Sequence, residues 1–223
     1  MDFVTTGDGS KTIFNAQVGE HYHSKHGAVQ ESKHVFLTSG LHYFLENQKH
    51  PQRLVSILEV GFGTGLNFLL TADYCFQQGI DLHYTGIEAY PLSLDTIKET
   101  GYQQVVNATL WETFLKQYEG ALSKKRFLLQ HITWEIAHQL VLKFNTMQKY
   151  DILYFDAFAA VHQPEMWSTE TLSHVCNFLI PGGVFVTYAI TGNLKRTMKS
   201  LGFSIEKAPG APGKREMLRA VKN

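Results

Sequence analysis

The segment Glu59-Val60-Gly61-Phe62-Gly63-Thr64-Gly65 separates one apolar run, Leu54-Val55-Ser56-Ile57-Leu58, from another, Leu66-Asn67-Phe68-Leu69-Leu70. The run before the glycines reads as a buried strand and the one after them as the start of a helix. Three glycines at alternate positions let the backbone turn sharply, and without side chains they let a ligand approach the main chain at the first turn of the helix. Strand, glycine turn and helix in that order open an α/β domain whose cofactor pocket lies at the carboxyl end of its first strand.

The spacing narrows the ligand. In the dinucleotide fingerprint G-x-G-x-x-G the third glycine would fall at position 66, where this chain has Leu66. A carboxylate at Glu59 would also repel a pyrophosphate. S-adenosylmethionine carries an ammonium and a sulfonium and no phosphate, so it suits an acidic glycine turn on charge alone.

At 223 residues the chain is long enough for one well-buried domain and short for two, and 44% hydrophobic with 18% charged residues is a globular composition. No apolar run is long enough to span a membrane, and Met1 to Ser10 lack the basic and apolar regions of a signal peptide, so a cytoplasmic protein is expected. Cys75 and Cys176 each lie in apolar helical patterns and read as buried free thiols. The histidines at 21, 23, 26 and 34 have no cysteine among them and no recurring ligand spacing. They read as hydrogen-bonding groups and not as a metal site.

Formal net charge is zero, but from Lys195 to Lys222 eight basic residues stand against Glu206 and Glu216, and everything before them is net acidic. The basic end is either a phosphate-binding patch or a solvated surface.

Residues 1–53 are read as an irregular N-terminal extension carrying a helix that ends before Pro51, and 54–223 as a Rossmann-like unit, one domain overall. Strands are expected at 54–60, 82–87, Phe127 to Trp134, Tyr150 to Phe155 and Val184 to Ala189, with helices between them, including one from Ile136 to Asn145. The final runs, Phe203 to Glu206 and Glu216 to Val221, are joined by a loop too short for a crossover helix and should pair as an antiparallel hairpin. Four acids, Glu59, Glu88, Glu135 and Asp156, fall in or just after successive predicted strands, which a parallel sheet would gather on one rim. They line a pocket or cap the following helices. At that rim Glu88 would face a ribose and Glu135 an adenine edge. Asp156 roots a long loop with Phe158 and Trp167 along it, aromatics that either pack the loop or meet a ligand.

Taken together, EVGFGTGLNFL, the strand ending in Glu88, DAFAAVHQPEMW, TGNLKR and GKREML resemble the methyltransferase of the MnmC/MnmD family over almost the whole chain. The resemblance implies a class I Rossmann-like fold and S-adenosylmethionine-dependent methylation of the primary amine of 5-aminomethyl-2-thiouridine at the tRNA wobble position. It implies that Glu59, Gly61, Gly63 and Gly65 surround the methionine part of the cofactor, Glu88 the ribose and Glu135 the adenine, with Asp156 and Phe158 at the methyl-transfer centre. Glu135 replaces the family's usual aspartate. Ala157, Ala160 and His162 depart from the Gly-Phe-Ala-Pro-Ala-Lys loop of bifunctional members. Lys195, Arg196, Lys214 and Arg215 are the implied tRNA contacts, with Leu194-Lys195-Arg196 standing for a Val-Arg-Arg motif. The chain has no room for the flavin-dependent oxidase of bifunctional members, so a substrate already bearing a free aminomethyl group is expected. Two other readings use the same residues: a methyltransferase of small amines or proteins, which needs no basic tail, and a non-catalytic RNA-binding member of the fold, against which Asp156 and the acidic rim argue.

Overall fold

A computed structural model describes residues 2–48, 54–123, 127–129 and 131–223. Three short strands, β1 (Asp2–Thr5), β2 (Lys11–Asn15) and β3 (Glu20–His21), form an antiparallel sheet, with Asp2 opposite Phe14 and Asn15 opposite Glu20. A continuous helical segment follows: α1 (Ala28–Ser32), a π-helical stretch (Lys33–His42) and α2 (Tyr43–Asn47). Residues 2–27 are therefore sheet and turn where irregular chain was expected. The strands were hard to see because each alternates over five residues or fewer. The stop expected at Pro51 lies outside the described residues.

The main sheet has β4 (Leu54–Val60), β5 (Asp81–Glu88), β6 (Phe127–Leu129), β7 (Ile132–His138), β8 (Tyr150–Phe155), β9 (Leu179–Thr187), β10 (Phe203–Pro209) and β11 (Glu216–Lys222). Their spatial order is β10-β11-β9-β8-β4-β5-β7-β6. The five central strands run parallel, β11 pairs antiparallel with β9 and β10, and β6 with β7. The C-terminal hairpin is thus as the sequence predicts, with Phe203 opposite Lys222. Helices α3 (Leu66–Gln78), α4 (Leu94–Glu99), α5 (Ala108–Leu122), α6 (Thr169–Cys176) and α7 (Gly192–Ser200) connect the strands. Ser93, Asn107, Ser168 and Thr191 each cap a helix by accepting a backbone N–H.

Two sequence expectations fail around β7. The run 127–135 is two antiparallel strands, and the helix expected from Ile136 to Asn145 is the end of β7 followed by a 3-10 turn, Val141–Lys143. The reason is periodicity: Ile132, Trp134 and Ile136 are buried while Thr133 and Glu135 between them are not, an alternation of two that suits a strand. Trp134 lies 4.8 Å from Phe68 of α3 and 5.3 Å from Phe114 of α5, ring to ring, so its burial pins both helices to the sheet. Truncating such a core aromatic to Ala costs about 3–5 kcal/mol. Cys75 and Cys176 are both buried free thiols, and burial pushes each up to about 12, which leaves them inert. Among the described residues no helix is long and apolar enough to cross a membrane.

Candidate cofactor and methyl-acceptor site

Register sets the rim. Val60 pairs with Ile87 on one side and Phe155 on the other, and Glu88 pairs with His138, so the chain leaves β4, β5, β7 and β8 at one level. A cavity of about 970 Å³ opens there, at the top of the range of about 300–1,000 Å³ usual for small-molecule pockets. Gly61, Phe62 and Gly63 form its floor, Glu88 and Tyr90 one flank, and Gln139 to Lys143 the flank beside it. Asp156, Phe158 and Tyr188 stand opposite, and the N-terminal segment closes over the top with Glu20, Tyr22, His23 and Glu31.

The floor is bare backbone because nothing else fits. Gly61 has φ +86°, and a Cβ added there would stand 2.3 Å from the Asp156 carbonyl oxygen. Gly63, at φ +52°, would bring a Cβ to 3.0 Å from the Tyr22 ring. Gly65 does not line the cavity, and its missing side chain instead makes room for Phe62 and Phe114 at the start of α3. Two of the three turn glycines therefore line the cavity, and the third serves packing.

The four acids expected on one rim separate in the same way. Glu88 and Asp156 line the cavity. Glu88 is held by two backbone donors, Gly63 N–H and Tyr90 N–H, both at 2.9 Å. Glu59 lies one residue short of the rim, fully buried under α3 and off the cavity wall. Glu135 sits opposite Thr85, three residues below the Glu88–His138 pair, and does not line the cavity either. Strand β7 runs on to His138, so the chain turns at Gln139, whose N–H donates to the Glu88 carbonyl at 3.2 Å.

Glu59 and Asp156 are nevertheless joined. The Asn67 side-chain amide donates to Glu59 Oε1 and to Asp156 Oδ2, each at 2.8 Å. Tyr84 OH donates to Glu59 Oε2 at 2.8 Å, and Ser32 bonds the Asn67 carbonyl oxygen. Loss of hydration raises the Glu59 carboxyl well above the usual range despite those two donors, and Asp156 adds to the rise. Asp156 is pushed up to about 7, first by loss of hydration and then by the negative charge of Glu31, while Asn67 and Lys214 pull it down. Asn67 was not singled out in the sequence, although an amide inside an otherwise apolar helix start was the visible signal. Replacing Asn67 by Ala would leave the buried Glu59 carboxyl and the half-buried Asp156 carboxyl without their shared donor. We expect a loss of about 2–4 kcal/mol in unfolding free energy, measurable by denaturant titration.

Phe158 lines the cavity with its ring 5.1 Å from Tyr22, edge to face. Trp167 instead packs in the core, 5.0 Å from Phe155, and its indole N–H donates to the Phe158 carbonyl. The basic residues divide too. Lys214 lines the cavity, whereas Arg215 lies exposed in the β10–β11 loop and Lys195 and Arg196 lie on α7. Lys207, Arg219 and Lys222 are engaged inside the protein, with Glu216, Glu206 and the Cys176 and Leu179 carbonyls. Of the early histidines, His21 and His23 line the cavity and His34 bonds the Pro209 carbonyl.

Six carboxylates (Glu20, Glu31, Glu88, Asp156, Glu165, Glu170) line the cavity against three lysines (Lys25, Lys143, Lys214). A glycine-floored, net-negative pocket fits a nucleoside with positive charge and no phosphate, and disfavours a dinucleotide. A family model described as S-adenosyl-L-methionine-dependent methyltransferase matches residues 99–223, more than half of the chain. The chain belongs to this methyltransferase family. The tRNA 5-methylaminomethyl-2-thiouridine biosynthesis bifunctional protein MnmC of Acinetobacter baylyi is 30% identical over 227 residues, covering 96% of this methyltransferase and 36% of that protein. The protein of that name from Leptospira borgpetersenii is 30% identical over 204 residues, covering 88% and 31% respectively. The methyltransferase thus spans about a third of the length of these curated relatives. The crystal structure of MnmC2 from Aquifex aeolicus superposes with a TM-score of 0.79 at 22% identity, covering 99% of this chain and 70% of that one, a likeness of fold.

Proposed function

We propose that this methyltransferase N-methylates the aminomethyl group of 5-aminomethyl-2-thiouridine at the tRNA wobble position. The observation that carries the reading is a cavity whose acid, Asp156, has its proton affinity near neutrality and stands beside the glycine floor. The names of the curated relatives, which match nearly the whole chain, supply the substrate class.

When bound, the cofactor supplies a methyl carbon made electrophilic by its sulfonium. Gly61 and Gly63 would hold it by backbone, and Glu88 would take the ribose hydroxyls. The 139–143 turn, which lines the cavity where Glu135 does not, would form the wall facing the adenine. Glu59 acts at one remove, fixing the Asn67 amide that orients Asp156. An alkylamine is protonated at neutral pH and cannot attack in that form. Asp156, at about 7 in the free protein, takes the ammonium proton without holding it too tightly. Phe158 and Tyr22 pack edge to face over the acceptor and exclude water. The extension 1–53 acts through its described residues 2–48, which pack on the 54–223 unit and complete its cavity, tied down by Glu20, which accepts the Ala159 N–H at 2.8 Å.

The wobble base is unpaired and can turn into the pocket while phosphates stay outside. Lys195, Arg196 and Arg215 make no ion pair within 4.0 Å among the described residues, so with Lys214 they are among the cations available to RNA. Replacing Lys195, Arg196 and Arg215 by Ala together should weaken tRNA binding about 10-fold or more and flatten its salt dependence by two to three counterions. Filter binding over a range of salt checks this, and wild-type affinity in the triple variant would remove the patch. The function is tested by incubating tRNA that carries the aminomethyl wobble uridine with S-adenosylmethionine and weighing the wobble nucleoside. Gain of one methyl group is expected. Methylation of free small amines with the tRNA left unchanged would replace the substrate.

A further inference from the structure

Lys214 sits in surroundings that suit a substrate better than a structural lysine. Its Nζ lies 2.6 Å from Glu31 Oε1 and 4.0 Å from the centre of the Tyr188 ring. A carboxylate beside an aromatic face is a receptor for an ammonium group. Both partners are held in place. Glu31 accepts the Ser24 N–H through its other oxygen at 3.0 Å, and Tyr188 OH donates to the Ala157 carbonyl at 2.9 Å, next to Asp156. Glu31, Tyr188, Asp156 and Lys214 all line the one cavity. The lysine contributes a flexible four-carbon stem, whereas Glu31 and Tyr188 are each held by a further hydrogen bond.

Its backbone is fixed. A Cβ at Gly210 would stand 2.4 Å from the Lys214 carbonyl oxygen, and Gly213 at φ +86° packs its missing side chain against His26. The Lys214 N–H donates to the Ala211 carbonyl at 2.8 Å. The side chain is 36% exposed and Glu31 only 11%. An ion pair with so exposed a partner is weak, so the lysine exchanges readily for another cation while the carboxylate stays.

We propose that Lys214 is a placeholder. In the free protein its ammonium occupies the Glu31–Tyr188 subsite, which receives the primary ammonium of the methyl acceptor, and it leaves that subsite for a phosphate when the polynucleotide docks. This deepens the function proposed above and rests on it. The arrangement makes one event depend on the other: an amine without a phosphate must displace Lys214 unaided, whereas tRNA brings the lysine a new partner. Acceptors attached to nucleic acid are therefore favoured over free amines. After exchange the ammonium lies beside Asp156, which removes one proton and leaves a neutral amine with its lone pair free.

The test uses two ligands that share the amine, the free nucleoside 5-aminomethyluridine and tRNA carrying the aminomethyl wobble uridine, titrated against the full chain by calorimetry. Lys214→Ala should tighten the nucleoside about threefold to tenfold while weakening tRNA by a similar factor. Glu31→Gln should weaken the nucleoside about tenfold or more. A gain in affinity cannot come from misfolding, so the Lys214→Ala result is readable without a separate folding control. Unchanged nucleoside affinity in Lys214→Ala would overturn the proposal, and so would weaker affinity, which would make Lys214 a direct substrate ligand. Benzylammonium, titrated in parallel, keeps the two hypotheses apart. If wild-type protein ignores aminomethyl tRNA but Lys214→Ala still tightens benzylammonium, the ammonium subsite stands and the tRNA reading falls.

Discussion

Asp156→Asn is expected to slow methyl transfer at pH 8 by about 10²–10⁴-fold, the usual worth of a positioned acid or base, with little change in cofactor affinity. Asparagine keeps an oxygen for the Asn67 amide, which donates to Asp156 at 2.8 Å in the parent, so geometry survives and only proton acceptance is lost. The pH profile separates this from a structural defect. An acid raised from 3.8 to about 7 is protonated, and so useless as a base, below neutrality. Wild-type single-turnover rates should climb with pH through about 7 and level off, a limb the variant lacks. Unchanged turnover would refute the assignment. Stability should move the other way. The folded protein holds the Asp156 proton that the unfolded chain releases near 3.8, so the native state loses stability as pH rises from about 4 to about 7 and stays lower above that. The asparagine variant escapes this cost. At pH 8 it should be more stable by about 2–4 kcal/mol, less whatever contact with cavity water relieves, and denaturant titration at pH 5 and pH 8 reads the difference.

Gly61→Ala should be the most damaging substitution of a single hydrogen by a methyl group. The left-handed backbone at φ +86° costs an L-residue about 1–2 kcal/mol. The new carbon would also meet the Asp156 carbonyl oxygen at 2.3 Å, a backbone atom that cannot swing aside. Relief requires spreading β4 from β8, which strains the Asp156 N–H to Val60 carbonyl bond on that side, at 2.9 Å in the parent. We expect at least ~3 kcal/mol lost in unfolding free energy and cofactor binding weakened about 100-fold or more, by calorimetry. Gly79→Ala is the control: its φ is +65° with nothing within 4 Å, so it should cost only the backbone strain and leave binding intact.

The glycine turn, the parallel strands around it and the closing hairpin were legible because each is local. Alternation, apolar runs and turn residues act over a few positions, and the residues that carry them are neighbours in the chain. The same local logic misread 127–145: Ile136 to His138 look helical from residue types alone, yet they extend the strand begun at Ile132, whose burial alternates as far as Ile136. Glu88 and Asp156 line the cavity at the strand ends where they were expected, because a strand end is visible in sequence. Glu135 was misplaced by three residues of strand, which makes it a mid-sheet residue, whereas the strand of Glu59 lies where it was expected and its side chain turns to Asn67 of α3 and not to the cavity.

What the order of residues determined by itself was the kind of molecule: an α/β methyltransferase fold with an acidic, glycine-floored pocket after its first strand. Which acids line the pocket was decided only in three dimensions, since one residue of register reverses the face a side chain occupies. The link between Glu59 and Asp156 through Asn67, and the pairing of Glu31 with Lys214 across 183 positions, belong to tertiary structure as well. No local pattern encodes a contact between distant segments, because it exists only once the sheet has brought them together.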